Sequence, residues 1–453
     1  MKFLRPVFVA LRLWFVLIGF VLLFVAAYAF PFLFSLVQVG FVVFVFLILL
    51  DTWLLFSSRN RTANPAFFAR RDVPDRLSNG DENPITIFLE NRCTFAVNVE
   101  VIDEIPFQFQ RRDVLFRARL KPRETQSIRY ELRPTRRGEY NFGAVNVYVL
   151  SPLGLLKRRY QFEQGKLVAV YPSFLQMRQY ELLAATNRLT EVGVKRIRRL
   201  GHSMEFEQVR PYTIGDDVRT LNWKATARRS DAQGASLMIN AYQDEREQPV
   251  YCLIDKGRVM RSPFAGLTLL DYAINASLVL SNIALLKQDR AGLLTFSDHI
   301  GQLLPADRRS GQMMRILETL YRQKTRFAET DYETVYASVR ANIRQRSLLI
   351  LFTNFETVSG MHRQLPYLRR LAKDHLLLVI LFENTELREL LDAPAPDTEA
   401  IYLKTIGEKF AFEKKQIVKE LGQYGIQTIL TAPQNLTANT VNKYLQLKAR
   451  GLI

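Results

Sequence analysis

Cysteine is nearly absent. Cys93 and Cys252 are the only two in 453 residues, and they form neither a CxxC pair nor a disulfide framework. That usage fits a reducing compartment. Histidine is scarce too: His202, His299, His362 and His375 make no HExxH pair and no zinc spacing. "QGKL" (164–167) lacks the spacing and the hydroxyl of a phosphate-binding loop, which argues against ATP hydrolysis by this chain. A GxSxG nucleophile elbow is missing. Asp255 in "LIDKG" has no second aspartate two residues on, so a phosphoryl-aspartate route has no evident acid partner. These absences point to a protein that is not an enzyme.

Charge is also missing from one long stretch, Leu13 to Leu50. One helix of that length would run to roughly 57 Å, nearly twice a bilayer core of about 30 Å, so two helices fit better. Phe30-Pro31-Phe32 is the natural break, because Pro31 cannot continue a helix begun before it. Lys2, Arg5 and Arg12 precede the apolar stretch, and Arg59, Arg61, Arg70 and Arg71 follow it. The positive-inside rule then puts both ends, and the soluble body, on the cytoplasmic side of an inner membrane. Ala27-Tyr28-Ala29 has the form of a signal-peptide cleavage site, but Phe32–Leu50 would still remain as an anchor. The net charge of +18 calls for an acidic partner: phospholipid, nucleic acid or an acidic protein face.

Four regions follow from pattern: a transmembrane hairpin (1–58), an all-β module (59–172), a connecting region (173–249) and an α/β domain (250–453). Residues 59–82 read as a polar, basic link into the β module. "IRYEL" (128–132) and "VNVYV" (145–149) alternate with period two, and "RPTRRGEY" and "SPLG" read as turns, as in an immunoglobulin-like sandwich. From Gln248 the rhythm becomes strand–helix. Short apolar strands near 250–254, 291–296, 347–354, 375–382 and 426–431 alternate with helices near 264–287, 311–322, 332–346, 365–373, 409–421 and 437–448. This predicts a parallel sheet covered on both faces. The 264–287 helix is interrupted by Asp271, Asn275 and Asn282, which makes it a buried helix and not a span.

Ligands of such sheets sit beyond the carboxyl ends of the strands. Asp255, Thr330-Asp331 and Asn354 fall at such ends. Their order resembles the metal-ion-dependent adhesion site of von Willebrand factor A domains, which implies a Rossmann-type fold for 250–453. That site runs Asp-x-Ser-x-Ser, then Thr, then Asp. Here Gly257 and Val259 replace the serines and Asn354 the second aspartate, while Lys256 and Arg258 add positive charge. Magnesium needs about six oxygen ligands, so Asp255, Thr330 and Asn354 make at best a degenerate site. The plainer alternative is that Asp255 caps the following turn or pairs with Arg258 or another basic residue.

The densest polar stretch is "GHSMEFEQVRPYTIGDDVRTLNWKATARRSD" (201–231). Glu205, Glu207, Asp216 and Asp217 are interleaved with Arg210, Arg219, Lys224, Arg228 and Arg229, and Phe206 and Trp223 offer apolar anchors. No histidine is placed as a base and no nucleophile has a partner. The expectation is an ordered ion-pair network that docks a protein: Glu205, Phe206, Arg210, Asp216, Asp217, Arg219, Trp223, Lys224 and Arg228.

"EFEQVRPYTIGDDVRTLNWKATAR" resembles the signature of the bacterial family catalogued as domain of unknown function 58. "RPTRRGEYNFG", "SPLGLLKRR" and "VAVYPS" are similar to its β-rich upstream region, and "LIDKGRVM" to a branch with an eroded metal motif. The resemblance runs along nearly the whole chain. It implies a membrane-anchored protein with a von Willebrand A-like domain, acting with a MoxR-type AAA+ ATPase in assembling or activating other proteins. The family's metal residues fall on Asp255, Gly257, Val259, Thr330 and Asn354, three of which depart from the pattern. The expectation is a non-enzymatic adaptor without a cofactor, which binds its AAA+ partner, other membrane or von Willebrand A proteins, and lipid. The alternatives are a magnesium-dependent protein-binding receptor and a nucleic-acid-binding protein. The second is disfavoured because no helix-turn-helix, RRM or zinc module is visible.

Overall fold

The computed structural model describes residues 7–57, 66–111, 114–162, 165–185, 205–213, 216, 218–228, 230–231, 234–235, 237–243, 247–325, 328–395 and 397–452. They fall into two compact units, Met1–Tyr171 and Pro172–Ile453.

In the first unit, helices Leu11–Ala29 and Pro31–Ser57 account for the uncharged stretch. Both contain a segment long and apolar enough to cross a membrane, Leu11–Ala29 and Phe32–Trp53. Pro31 opens the second helix, at a position where its missing N–H is no loss. Phe20 and Phe24 of the first helix pack on Phe41 of the second.

The β-rich part holds a five-stranded sheet in the order Val7–Val9, Leu156–Phe162, Val145–Leu150, Val97–Asp103, Leu115–Leu120. Two three-stranded sheets complete it: Phe67–Asp72, Asn83–Asn91, Thr125–Leu132, and Arg76–Ser78, Lys166–Tyr171, Gly138–Phe142. Alternation decides the faces. Ile85, Ile87 and Leu89 point into the same core as Val97, Val99, Val101, Val145 and Val147. Between the sheets, Arg71 Nη1 lies 2.5 Å from Asp103 Oδ1, and the Tyr130 hydroxyl donates to the other carboxylate oxygen. The stretch 59–82, expected to be a link, instead contributes strands Phe67–Asp72 and Arg76–Ser78. Its Arg71 is an interior ion-pair partner and not a membrane-flanking charge.

The second unit is built on a six-stranded sheet in the order Ile300–Asp307, Arg290–Phe296, Pro249–Asp255, Leu348–Phe352, Leu376–Phe382, Gln427–Thr431. Five strands are parallel. The expected all-parallel sheet is corrected at one edge, where Ile300–Asp307 pairs antiparallel with Arg290–Phe296. That strand carries Pro305 and is half-exposed, as edge strands tolerate, so its apolar signal is weak. Helices cover both faces. Leu269–Leu286, Gln312–Tyr321 and Leu436–Ala449 pack on one side; Tyr332–Asn342, Val358–Asp374 and Thr398–Gln423 pack on the other. Leu269–Leu286 is 83% buried, because its face carries Ala273, Ile274, Leu278 and Ile283 against the central strands. Its polar residues are accommodated: Asp271 closes a capping box with Thr268, and Asn275 Oδ1 accepts the Ser173 N–H at 3.0 Å. Helix Phe174–Ala185 joins this core through Tyr180.

Candidate functional site at the strand ends

The two central strands, Pro249–Asp255 and Leu348–Phe352, are neighbours joined by distant connections. One connection leaves each toward opposite edges of the sheet. A crevice opens beyond their carboxyl ends, as such a switch point requires. Its volume is about 130 Å³. Buried Asp255, Tyr332 and Thr353 form the floor with half-buried Thr330 and Asn354; exposed Arg258, Glu329, Glu356 and Arg363 form the rim.

Asp255 ends its strand with a carboxylate that is 1% exposed. Its Oδ1 accepts from the Gly257 N–H and the Thr330 hydroxyl, both at 2.7 Å. Its Oδ2 accepts from the Thr353 hydroxyl at 2.7 Å, and Tyr332 Oη lies 2.7 Å from the same Thr353 oxygen. Burial raises the Asp255 pKa, and these donors act against that rise. Burial and the Asp255 charge also push the Tyr332 phenol well up. The capping alternative therefore describes Asp255: it holds its own turn through Gly257 and ties together two strand ends and a helix start. Thr330 is placed by the helix behind it, which Asp331 caps by accepting the Glu333 N–H at 2.9 Å.

Asn354 does not face Asp255 as a ligand partner. Its Oδ1 accepts from the ammonium of Lys414 on helix Thr398–Gln423. Burial lowers the Lys414 pKa to about 8, with the Glu356 charge acting in the opposite direction.

This donor set does not fit a divalent cation. Both Asp255 oxygens already accept from protein donors, and Asn354 answers an ammonium. The Gly257 position is closed as well. A β-carbon there would stand 2.2 Å from Thr330 Oγ1 and 3.0 Å from Asp255 Oδ1. The threonine hydroxyl therefore occupies the room a serine side chain at 257 would need. Among the described residues, no group of three or more His, Cys, Asp or Glu side chains could hold a metal.

The second predicted cluster lies on strand Glu205–Pro211, which pairs antiparallel with Met238–Gln243, and on the turns between them. Arg210 grips Asp216 bidentately at 3.0 and 2.7 Å. Asp216 also accepts from the Thr213 N–H and hydroxyl at 2.9 and 2.7 Å. Those bonds, the Arg210 fork first, hold its pKa down at about 2. The expected network is thus real at Arg210 and Asp216. Trp223 is 68% exposed, because its short helix, Trp223–Arg228, turns Thr226 inward. Lys224, Arg228 and Arg219 are on the surface or near it. Asp217 and the side chains of Glu205 and Phe206 lie outside the described residues.

Sequence reasoning found Asp255, Thr330 and Asn354 but not Tyr332, Thr353 or Lys414. Thr353 had a signal, since it follows the apolar run "LLILF" directly. Lys414 had none, being one of five lysines on one charged helix.

Residues 208–394 match the model of the family described as protein of unknown function DUF58. The uncharacterized protein YeaD of Bacillus subtilis is 30% identical over 189 residues, which cover 40% of this chain and 45% of that protein. The match thus spans under half of the relative's length. Among solved structures, a conserved hypothetical protein, BatB of Bacteroides thetaiotaomicron, aligns over 45% of this chain and 99% of its own, at 12% identity and TM-score 0.32. A CARDB domain from Pyrococcus furiosus aligns over 24% of this chain and 97% of its own, at 15% identity and TM-score 0.16.

Proposed function

We propose, for a chain that belongs through residues 208–394 to the family of unknown function DUF58, that it is a membrane-anchored, non-enzymatic adaptor. In this reading its second unit is a von Willebrand A-like domain whose adhesion site has become a metal-free docking face. The two N-terminal helices are its anchor, with the basic flanks on the cytoplasmic side. The immunoglobulin-like sandwich is a spacer. The observation that carries the reading is the closed hydrogen-bond set around Asp255, beside a shaped crevice with charged rims. The strand order supports the domain assignment, since the crevice lies at the switch point between the two central strands.

The partner proposed is a MoxR-type AAA+ ATPase, with other membrane or von Willebrand A proteins as clients. The half-buried Arg210–Asp216 fork, with Arg219, Lys224 and Arg228 near it in sequence, gives a second charged face for it. A metal-dependent receptor is the weaker reading, because Gly257 is crowded by Thr330. Nucleic-acid binding has only the net charge in its favour.

The test is capture of the ATPase by the full-length chain in detergent, with and without EDTA. Recovery unchanged by EDTA, and reduced severalfold by Asp216→Ala or Arg210→Ala, is the expected result. Recovery indifferent to both variants, or lost in EDTA, would overturn the docking face or its metal independence, respectively.

A further inference from the structure

The first apolar helix does not start clear of the sandwich. Strand Val7–Val9 adds to the edge of the five-stranded sheet in register Val7↔Arg158, Phe8↔Lys157, Val9↔Leu156. The Ala10 N–H then donates to Leu155 O at 3.0 Å, and the helix begins at Leu11. The second apolar helix arrives at the same level. Its Asp51 is 0% exposed and accepts from the Ser151 hydroxyl at 2.5 Å and the Leu153 N–H at 3.3 Å. Ser151 Oγ in turn accepts from the Leu156 N–H at 3.2 Å. Leu13 and Phe44 of the helices share one apolar cluster with Leu155 and Leu156. Gly154, at φ +74°, completes the turn, and a β-carbon on it would stand 3.0 Å from Arg12 Nη1.

A carboxylate near the end of an apolar span is costly unless donors reach it. Here, among the described residues, both donors, the Ser151 hydroxyl and the Leu153 N–H, come from the sandwich turn. Leu11–Ala29 has 19 residues; that is about 28 Å of helix, one hydrocarbon core. The core boundary therefore falls near Leu11, level with the turn. At that level Leu153 is 41% exposed, Phe8 40% and Trp53 63%, and Arg12 is exposed. Apolar tips, a tryptophan and an arginine are the composition of a bilayer interface.

We propose that the turn Ser151–Leu155 is a membrane seat. The sandwich rests on the phospholipid headgroup layer, Leu153 enters the acyl boundary, and the Arg12 guanidinium takes a lipid phosphate. Asp51 is the positioning residue that clamps the turn to the anchor. The partner is lipid and not another protein, because the seat is covalently continuous with the spans on both sides. This rests on reading the two helices as membrane spans.

The test uses the full chain in phospholipid nanodiscs, with an environment-sensitive fluorophore at Leu153→Cys, at Leu22→Cys within the first helix, and at Leu167→Cys on the exposed sandwich. Unsubstituted protein corrects for labelling of Cys93 and Cys252. Lipids spin-labelled near the headgroup are expected to quench the Leu153 probe more than lipids labelled deep in the chain. The order should reverse at Leu22, and Leu167 should be quenched by neither. Asp51→Asn, or Ser151→Ala if that variant folds poorly, should lower quenching at Leu153 about twofold and leave Leu22 unchanged. A Leu153 probe as unquenched as Leu167, with Leu22 quenched, would overturn the seat alone. An unquenched Leu22 would overturn the membrane-span reading first, and the seat with it.

Discussion

Gly257 is where a missing side chain decides the chemistry of a site. Its absent β-carbon lets Thr330 approach Asp255 directly, so the hydroxyl donates to the carboxylate at 2.7 Å. A serine at this position should not create a metal site. Gly257→Ser is expected to destabilise the fold by about 1–3 kcal/mol through overpacking and to create no magnesium affinity. Thermal unfolding with and without magnesium checks this, and a variant of wild-type stability that gains stability with magnesium would contradict it. Lys414 offers a second residue-scale test. Its folded pKa, about 8, lies below the ordinary 10.5 because burial disfavours the ammonium. Below about 8 both states hold the proton and the cost of burial is fully present; as pH rises from about 8 toward 10.5 the folded state sheds it first and stability rises. The unfolding free energy of wild type relative to Lys414→Met should therefore climb by up to about 3 kcal/mol across that window. A flat difference would mean that the ammonium is solvated.

At the scale of the element, the helix Leu269–Leu286 shows how polar residues sit in an apolar helix without making it a span. Thr268 and Asp271 satisfy its first turn reciprocally, the hydroxyl accepting the Asp271 N–H at 3.2 Å and Asp271 Oδ2 accepting the Thr268 N–H at 3.2 Å. Thr268→Ala should cost about 1 kcal/mol in urea unfolding, and Thr268→Ser much less. Equal losses in both would locate the effect in the methyl group and not in the cap. Most elements of this unit were legible in the sequence, since buried parallel strands such as Leu348–Phe352 and Leu376–Phe382 are short unbroken apolar runs. The edge strand Ile300–Asp307 was not, because an edge needs no apolar run and tolerates Pro305. Strand Phe67–Asp72, "FFARRD", was hidden for a different reason: Arg71 is buried only because Asp103, 32 residues away, receives it. Nothing local announces a partner at that distance.

Across the whole molecule, the candidate site was half legible. Residue order places Asp255 and Asn354 at strand ends and Thr330 at a helix start, but it does not reveal that Lys414 answers Asn354 or that Thr353 and Tyr332 complete the Asp255 network. Those contacts depend on how helices cover the sheet. They make what was expected to be at best a degenerate ion site a set of internal bonds, and on them rests the proposal that docking at this face is metal-free. Titration calorimetry of magnesium and manganese into the full-length chain in detergent, wild type against Asp255→Ala, tests this claim most directly. The account predicts no saturable heat at millimolar ion in either protein. Saturable binding to wild type that vanishes in Asp255→Ala would contradict it, and would make the strand-end crevice a metal-dependent receptor.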